Sequence, residues 1–103
     1  MEKKVEISIL LEIYGNLLTE KQKEYMNYYY NEDLSLSEIA ENDGITRQAV
    51  MRILQKSSKK LEEYEQKLQI MEKQKQIKKN IEQLRKDLKG NKELDNIENI
   101  LNI

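Results

Sequence analysis

The chain has 103 residues, of which 36% are charged and 38% are apolar, and its formal net charge is −1. This length supports one domain with a modest core and leaves little room for an enclosed pocket. The sequence contains no cysteine and no histidine, which removes thiolate chemistry, the commonest zinc ligand and the usual general base near neutral pH. We therefore expect neither enzymatic activity nor a bound cofactor or metal.

Signals for export or for membrane insertion are missing from the sequence. No long apolar run follows the charges at the start of the chain, so no secretion signal is predicted. No stretch approaches the roughly 20 apolar residues that a membrane-spanning helix requires. We expect a cytosolic protein that does not interact with a membrane.

The positive charge is concentrated in one stretch, between residues 47 and 60. This stretch has no acidic residue, whereas acidic residues flank it on both sides. A local basic face on a nearly neutral protein suits a contact with nucleic acid, but a solvated lysine-rich helix has the same composition. Charge alone leaves both interpretations open. The cations are Arg47, Arg52, Lys56, Lys59 and Lys60.

Apolar spacing predicts a first helix over residues 5–18 and a second over residues 20–30. Thr19, with Gln22 three residues later, has the pattern of a capping box at the start of the second helix. The predicted inner face of the first helix is Ile9, Leu10, Ile13, Tyr14 and Leu17. The predicted inner stripe of the second helix is Tyr25, Met26 and Tyr29.

A third and a fourth helix are predicted on either side of a tight turn. Ser35 and Glu38 have the spacing of a second capping box, which starts the third helix. Gly44 can adopt the left-handed conformation that ends it. Thr46 is then the predicted N-cap of the fourth helix.

Residues 36–55 match a helix-turn-helix at each position with a steric demand. Ile39 and the small Ala40 face the following helix, Ile45 fills the corner, and Val50 and Ile53 pack back on the first helix of the motif. The outer face of the fourth helix is left with polar and basic residues, on which arginine can contact guanine, glutamine adenine, and methionine a thymine methyl group. The candidate nucleic-acid-binding residues are Thr46, Arg47, Gln48, Met51, Arg52, Gln55, Lys56, Lys59 and Lys60.

The motif does not by itself identify duplex DNA as the ligand, because such motifs also contact RNA and proteins. Four of the six tyrosines lie within residues 25–30. They could form a stacking platform for unpaired bases. The favoured interpretation is that Tyr25 and Tyr29 fill the core with their hydroxyl groups at its edge.

A long helical stretch follows the motif and carries an apolar stripe at helical spacing. The step from Met71 to Ile77 is one residue short of a heptad, which predicts either a bend near residues 72–76 or a shift of the contact stripe. Residues 91–103 are predicted to form a weak helix or a frayed tail. The stripe, which can pack on the protein itself or on a second copy, is Leu61, Tyr64, Leu68, Met71, Ile77, Ile81, Leu84 and Leu88.

Two resemblances extend this interpretation. The helix-turn-helix and its basic continuation resemble region 4 of bacterial sigma factors, which reads promoter DNA with the second helix of its motif. The chain from residue 14 to about residue 68 also resembles the YlxM family of small bacterial proteins. The matching stretches are YGNLLTEKQKEYMNYYYNEDLSLSEIAENDGITRQAV and LEEYEQKL.

The YlxM resemblance implies a helical fold similar to sigma region 4 and a DNA-binding function. It also implies a role in the signal recognition particle pathway, since the family's gene lies beside the genes of the particle's GTPases. It supports Thr46, Arg47 and Gln48 as the head of the recognition helix. Where the family is expected to have an aromatic and then an acidic residue, this chain has Met51 and Arg52, which makes the face more cationic.

We therefore predict an all-α protein with a four-helix head at residues 1–60 and a helical extension at residues 61–103. The leading functional hypothesis is a DNA-binding regulatory protein. The alternative is an accessory protein that acts on the signal recognition particle GTPase or on the particle's RNA. A homodimer formed through the apolar stripe is compatible with either function, because it would present two recognition helices.

Overall fold

The computed structural model describes residues 2–88 and 90–103. Within these residues the chain forms six α-helices and no β-strand, which confirms the predicted all-α fold. A short 3₁₀ turn, Gly15–Leu17, follows the first helix. The helices are α1 (Lys3–Tyr14), α2 (Glu20–Tyr30), α3 (Leu36–Asp43), α4 (Arg47–Leu68), α5 (Ile70–Asp87) and α6 (Lys92–Leu101).

Capping boxes start α2 and α3, as the sequence predicts. The Thr19 hydroxyl accepts the backbone N–H of Gln22 at 3.2 Å, and the Gln22 side chain accepts the Thr19 N–H at 3.1 Å. The Ser35 hydroxyl and the Glu38 carboxylate form the same reciprocal pair, each at 3.1 Å. These bonds satisfy amide groups that have no partner inside the helix, and so they fix where each helix begins.

The turn between α3 and α4 is also formed as predicted. Gly44 has φ +65°, a left-handed conformation that is unfavourable for residues with a Cβ atom. Its N–H and that of Ile45 bond back to carbonyl groups at the end of α3. Thr46 then accepts the N–H of Ala49 on its hydroxyl oxygen at 3.0 Å. Together, α3, this turn and the start of α4 form the helix-turn-helix.

The inner face of α1 differs from the predicted one. Ile9 and Ile13 are only half-buried, and Leu17 is 53% exposed. Two causes account for the difference: the run of adjacent apolar residues in α1 leaves the helical period ambiguous, and Leu17 lies in the 3₁₀ turn after the helix ends. The buried residues of α1 are Ile7, Leu10, Leu11 and Tyr14.

Helix α4 packs against α1, α2 and α3 and is the central helix of the head. It buries Val50, Leu54, Ser57 and Leu61, which lie on one face at helical spacing. Val50 is buried as predicted, but Leu54 takes the inner position that we predicted for Ile53, which is half-buried. The buried Ser57 hydroxyl donates to the Ile53 carbonyl at 2.7 Å, so its polar group is satisfied.

The long helical stretch breaks at Gln69, which has φ +54° and separates α4 from α5. Of the two alternatives predicted for the step from Met71 to Ile77, the bend near residues 72–76 is not formed, because these residues lie inside α5. They are glutamate, lysine and glutamine, which are good helix formers. By internal contacts the chain divides after Leu68, and the first unit thus extends beyond the predicted boundary at residue 60.

The second unit consists of α5 and α6, which pack against each other. The Asn91 side chain accepts the N–H groups of Glu93 at 2.8 Å and Leu94 at 3.3 Å, so residues 92–101 form a capped helix. Arg85 joins the two helices through ion pairs with Asp95, at 2.6 Å, and with Glu98. Of the two predicted alternatives for the end of the chain, the structure has the helix.

The predicted apolar stripe is divided between the two units. Leu61 is fully buried in the first unit, and the Tyr64 ring lies 5.9 Å from that of Tyr14. Met71 and Ile81 are buried in the second unit, and Ile77 is half-buried. Three members are between 45% and 47% exposed: Leu68, Leu84 and Leu88.

Candidate nucleic-acid interface

The first half of α4 presents the predicted recognition residues on one exposed surface. The buried face of α4 fixes the rotation of the helix about its axis, so residues on the opposite face must point outward. Thr46, Arg47, Gln48, Met51, Arg52, Gln55, Lys56 and Lys59 are all exposed, and Lys60 is half-buried. We call this surface the α4 outer face.

A row of residues spaced by four runs along the α4 outer face: Arg47, Met51, Gln55 and Lys59. With a rise of about 1.5 Å per residue, this row is about 18 Å long. Arg52 and Lys56 form a second row beside it. An exposed helix face of this length can lie along the major groove of B-DNA, which is about 12 Å wide and admits an α-helix.

The cations of the α4 outer face have no acidic partner among the residues that the structure describes. Within residues 2–88 and 90–103, no carboxylate lies within 4 Å of Arg47, Arg52, Lys56, Lys59 or Lys60. The neighbouring Glu62 is paired instead with Lys3 at 2.7 Å. Phosphate groups could therefore approach these five cations without first breaking an ion pair.

Thr46 is the N-cap of α4, which limits how its side chain can contact a ligand. Its hydroxyl oxygen accepts the Ala49 N–H, and its carbonyl accepts the Val50 N–H at 3.1 Å. These are the bonds of an N-cap. A direct contact between this side chain and a phosphate is therefore limited to the hydroxyl hydrogen.

The tyrosines of α2 divide into a core residue and a more exposed group. Tyr25 is 1% exposed, and its hydroxyl donates to the Asp43 carboxylate, so the predicted core role is confirmed for this residue. Tyr29 is only half-buried, with its ring edge-on to that of Tyr30 at 4.9 Å. Tyr28 donates to Glu24 at 2.7 Å.

The hydrogen bond to Asp43, together with burial, raises the pKa of Tyr25 from 10.0 to about 12. A raised pKa in the folded state means that this contact stabilises the protein below pH 10, and the stabilisation is lost as the pH rises toward 12. We expect the stability advantage of the wild type over Tyr25→Phe to be constant up to about pH 10 and to shrink as the pH rises from 10 toward 12. Urea denaturation of both proteins measures it, and an advantage independent of pH would contradict the assignment.

An open groove of about 340 Å³ lies beside the row on α4. Its walls combine Tyr29 and Tyr30 from α2 with Met51, Gln55 and Lys59 from α4. All three α4 residues were predicted from the sequence to bind nucleic acid, and the tyrosines were predicted separately as core residues or a stacking platform. The only signal for their proximity was the tyrosine cluster itself, because residues so far apart in sequence carry no spacing pattern.

Comparison with known proteins agrees with this arrangement. The family model UPF0122, described as "Putative helix-turn-helix protein, YlxM / p13 like", matches residues 1–100. The chain belongs to this family. The family match, together with the α3–turn–α4 geometry, confirms the predicted helix-turn-helix and the predicted resemblance to YlxM.

Curated UPF0122 proteins from several bacteria are similar to the chain. One from Clostridium kluyveri is 52% identical over 65 residues, which are 63% of this chain and 59% of that protein. One from Clostridium perfringens is 52% identical over 63% of this chain and 58% of its own length. One from Symbiobacterium thermophilum is 51% identical over 57% and 55%, respectively. The matched stretch thus spans less than two thirds of each of these UPF0122 relatives.

Two further features of the described residues bear on the kind of site. In residues 2–88 and 90–103, no three aspartate or glutamate side chains cluster in a way that could hold a metal ion. None of the helices in this part of the chain is both long enough and apolar enough to cross a membrane.

Proposed function

We propose that this UPF0122 protein is a non-enzymatic regulator that binds duplex DNA through the α4 outer face. The observation that carries the proposal is the row of Arg47, Met51, Gln55 and Lys59 on a helix-turn-helix, next to cations that have no acidic partner among the described residues. The resemblance to region 4 of sigma factors supports the same surface, because that module reads DNA with the corresponding helix.

Each residue type on this face suits a different part of the duplex. Arg47 and Arg52 can each form two hydrogen bonds with the edge of a guanine, and Gln48 can do so with an adenine. Met51 can contact a thymine methyl group. The lysines toward the middle of α4 can pair with phosphates, which position the protein without reading sequence. Recognition would therefore depend on the first two turns of α4, and much of the affinity on the next two.

Nuclear magnetic resonance can locate the binding surface directly in a protein of 12.3 kDa. We expect amide shifts on titration with a random-sequence duplex to cluster within residues 46–60. Residues of α6 serve as the internal control, since α6 carries three acidic residues and one lysine among ten and should repel the phosphates. Shifts concentrated in α5 and α6, or spread evenly over the chain, would contradict the proposal.

The YlxM resemblance favours a second candidate function, an accessory role in the signal recognition particle pathway. In this role the α4 outer face would bind the particle's RNA, or the protein would bind its GTPase. A GTP hydrolysis assay of the reconstituted particle, with and without saturating protein, separates the two candidates. A changed rate favours the accessory role, and an unchanged rate removes it.

A further inference from the structure

The groove beside the α4 row has a composition that simple contact with a duplex does not require. It is formed where the C-terminal end of α2 meets the exposed side of α4, and Leu36, the first residue of α3, closes one side. At about 340 Å³ its volume lies at the lower end of the range for small-ligand sites, about 300–1,000 Å³.

Aromatic, amide and ammonium groups come together in this groove. Tyr29 and Tyr30 supply two rings that stand at 81° to each other. The Lys4 ammonium lies over the Tyr29 ring at 5.0 Å from its centroid, so Tyr30 is the ring assigned to stacking. Gln55 supplies an amide that both donates and accepts hydrogen bonds, and Lys59 supplies a positive charge at the rim. Stacking, edge recognition and phosphate pairing are the three interactions by which proteins hold an unpaired nucleotide.

We propose that this groove binds an unpaired nucleobase of the nucleic acid that contacts the α4 outer face. The proposal rests on the proposed function, because Met51, Gln55 and Lys59 belong to both the groove and the row. The groove is open rather than enclosed, so a base that is still attached to its sugar and phosphate can enter it. The partner is thus a helical nucleic acid with a bulged or looped nucleotide.

The charge of the groove is compatible with this ligand. Its one acidic side chain is Glu62, whose carboxylate is held by Lys3 at 2.7 Å. Lys59 at the rim has no such partner within the described part of the chain, and Lys56 lies one turn earlier on the same helix. A nucleotide phosphate at the rim would therefore meet positive charge, while the base would meet the tyrosine rings.

Fluorescence anisotropy with two matched probes tests the proposal. One probe is a fully paired 20-base-pair duplex, and the other is the same duplex with one additional unpaired central nucleotide. Stacking on an aromatic side chain strengthens binding by about 5- to 150-fold per base, and we expect the bulged probe to bind at least about 5-fold more tightly. Both probes are made in DNA and in RNA, and the larger preference identifies the source.

Three variants test whether the preference for the bulged probe arises in the groove. Tyr30→Ala is expected to abolish the preference for the bulged probe and to leave the affinity for the paired duplex unchanged. Tyr30→Leu retains apolar volume without an aromatic face and is expected to give the same result, even if the alanine variant folds poorly. Tyr28→Ala is the matched control, since Tyr28 is a half-buried tyrosine two residues away that does not line the groove. It should retain the preference.

The outcomes separate this inference from the proposed function. Equal affinity of the wild type for the bulged and paired probes would overturn the inference and leave duplex binding intact. A preference that survives both Tyr30 variants would also overturn it. Failure to bind any of the four probes would overturn the inference and the proposed function together.

Discussion

Replacing Arg47 and Arg52 together with alanine is expected to weaken binding to duplex DNA by about 2–6 kcal/mol. Each good contact of an arginine with a base contributes about 1–3 kcal/mol. Both side chains are exposed on the α4 outer face, and neither is paired with an acidic residue in the described part of the chain. The substitution should therefore remove contacts with the ligand without leaving a buried charge behind. The loss corresponds to a dissociation constant increased by about 30-fold or more.

Lys78→Ala together with Lys79→Ala is the matched control for this prediction. Both lysines are exposed on α5, and the double variant loses the same two positive charges outside the α4 outer face. We expect its affinity to remain near that of the wild type. Anisotropy titrations at one salt concentration measure all three proteins, and circular dichroism checks that each is folded. Equal affinity of the arginine variant and the wild type would contradict the proposed face.

Leu61→Ala is expected to lower the free energy of unfolding by about 2–5 kcal/mol, the usual effect of truncating a buried leucine. Leu61 is fully buried on the inner face of α4, the helix that packs against the three other helices of the head. A loss of this size is a large fraction of the 5–15 kcal/mol that stabilises a typical domain. Leu61 thus belongs to the core of the head, although the sequence placed it in a stripe that could equally have contacted a second copy.

Leu68→Ala provides the comparison, since Leu68 belongs to the same predicted stripe but is 47% exposed at the end of α4. Substitutions at such positions usually change stability by about 0.5 kcal/mol or less. Urea denaturation of the two variants measures the difference. Similar losses in both variants would contradict the assignment of Leu61, and not Leu68, to the core of the head.

Those parts of the fold that depend on local chemistry could be predicted from the sequence. The capping boxes at Thr19 and Ser35 and the glycine turn at Gly44 each depend on a few neighbouring residues, and each is present in the structure. The polar outer face of α4 could also be predicted, because the apolar residues of this helix recur with a helical period. Local signals therefore sufficed for the helix-turn-helix.

The errors occur where the local signal is ambiguous or absent. In α1, adjacent apolar residues from Ile9 to Leu11 permit more than one inner face, and packing against the other helices decides between them. The break at Gln69 has no marker, since glutamine is a good helix former and adopts φ +54° here without a glycine or proline nearby. From the sequence, a bend was expected instead at the polar run of residues 72–76, which is helical in the structure.

The groove beside α4 could not be predicted, because it depends on how helices pack. Its two tyrosines come from α2 and its polar groups from α4, more than twenty residues later. The sequence suggested a stacking platform only from the abundance of tyrosine. Helical spacing correctly placed Tyr25 in the core, but it also placed there Tyr29, which is half-buried and lines the groove.

The dependence of DNA affinity on salt tests the nucleic-acid-binding role of the α4 outer face most directly. If the basic stretch of α4 contacts about four phosphates, a plot of log affinity against log salt should fall with a slope near −4, because each contact releases about one condensed counterion. Anisotropy titrations of the wild type with one random-sequence duplex at three salt concentrations give this slope. Absence of binding even at low salt, or an affinity that does not change with salt, would contradict a nucleic-acid-binding role for this surface.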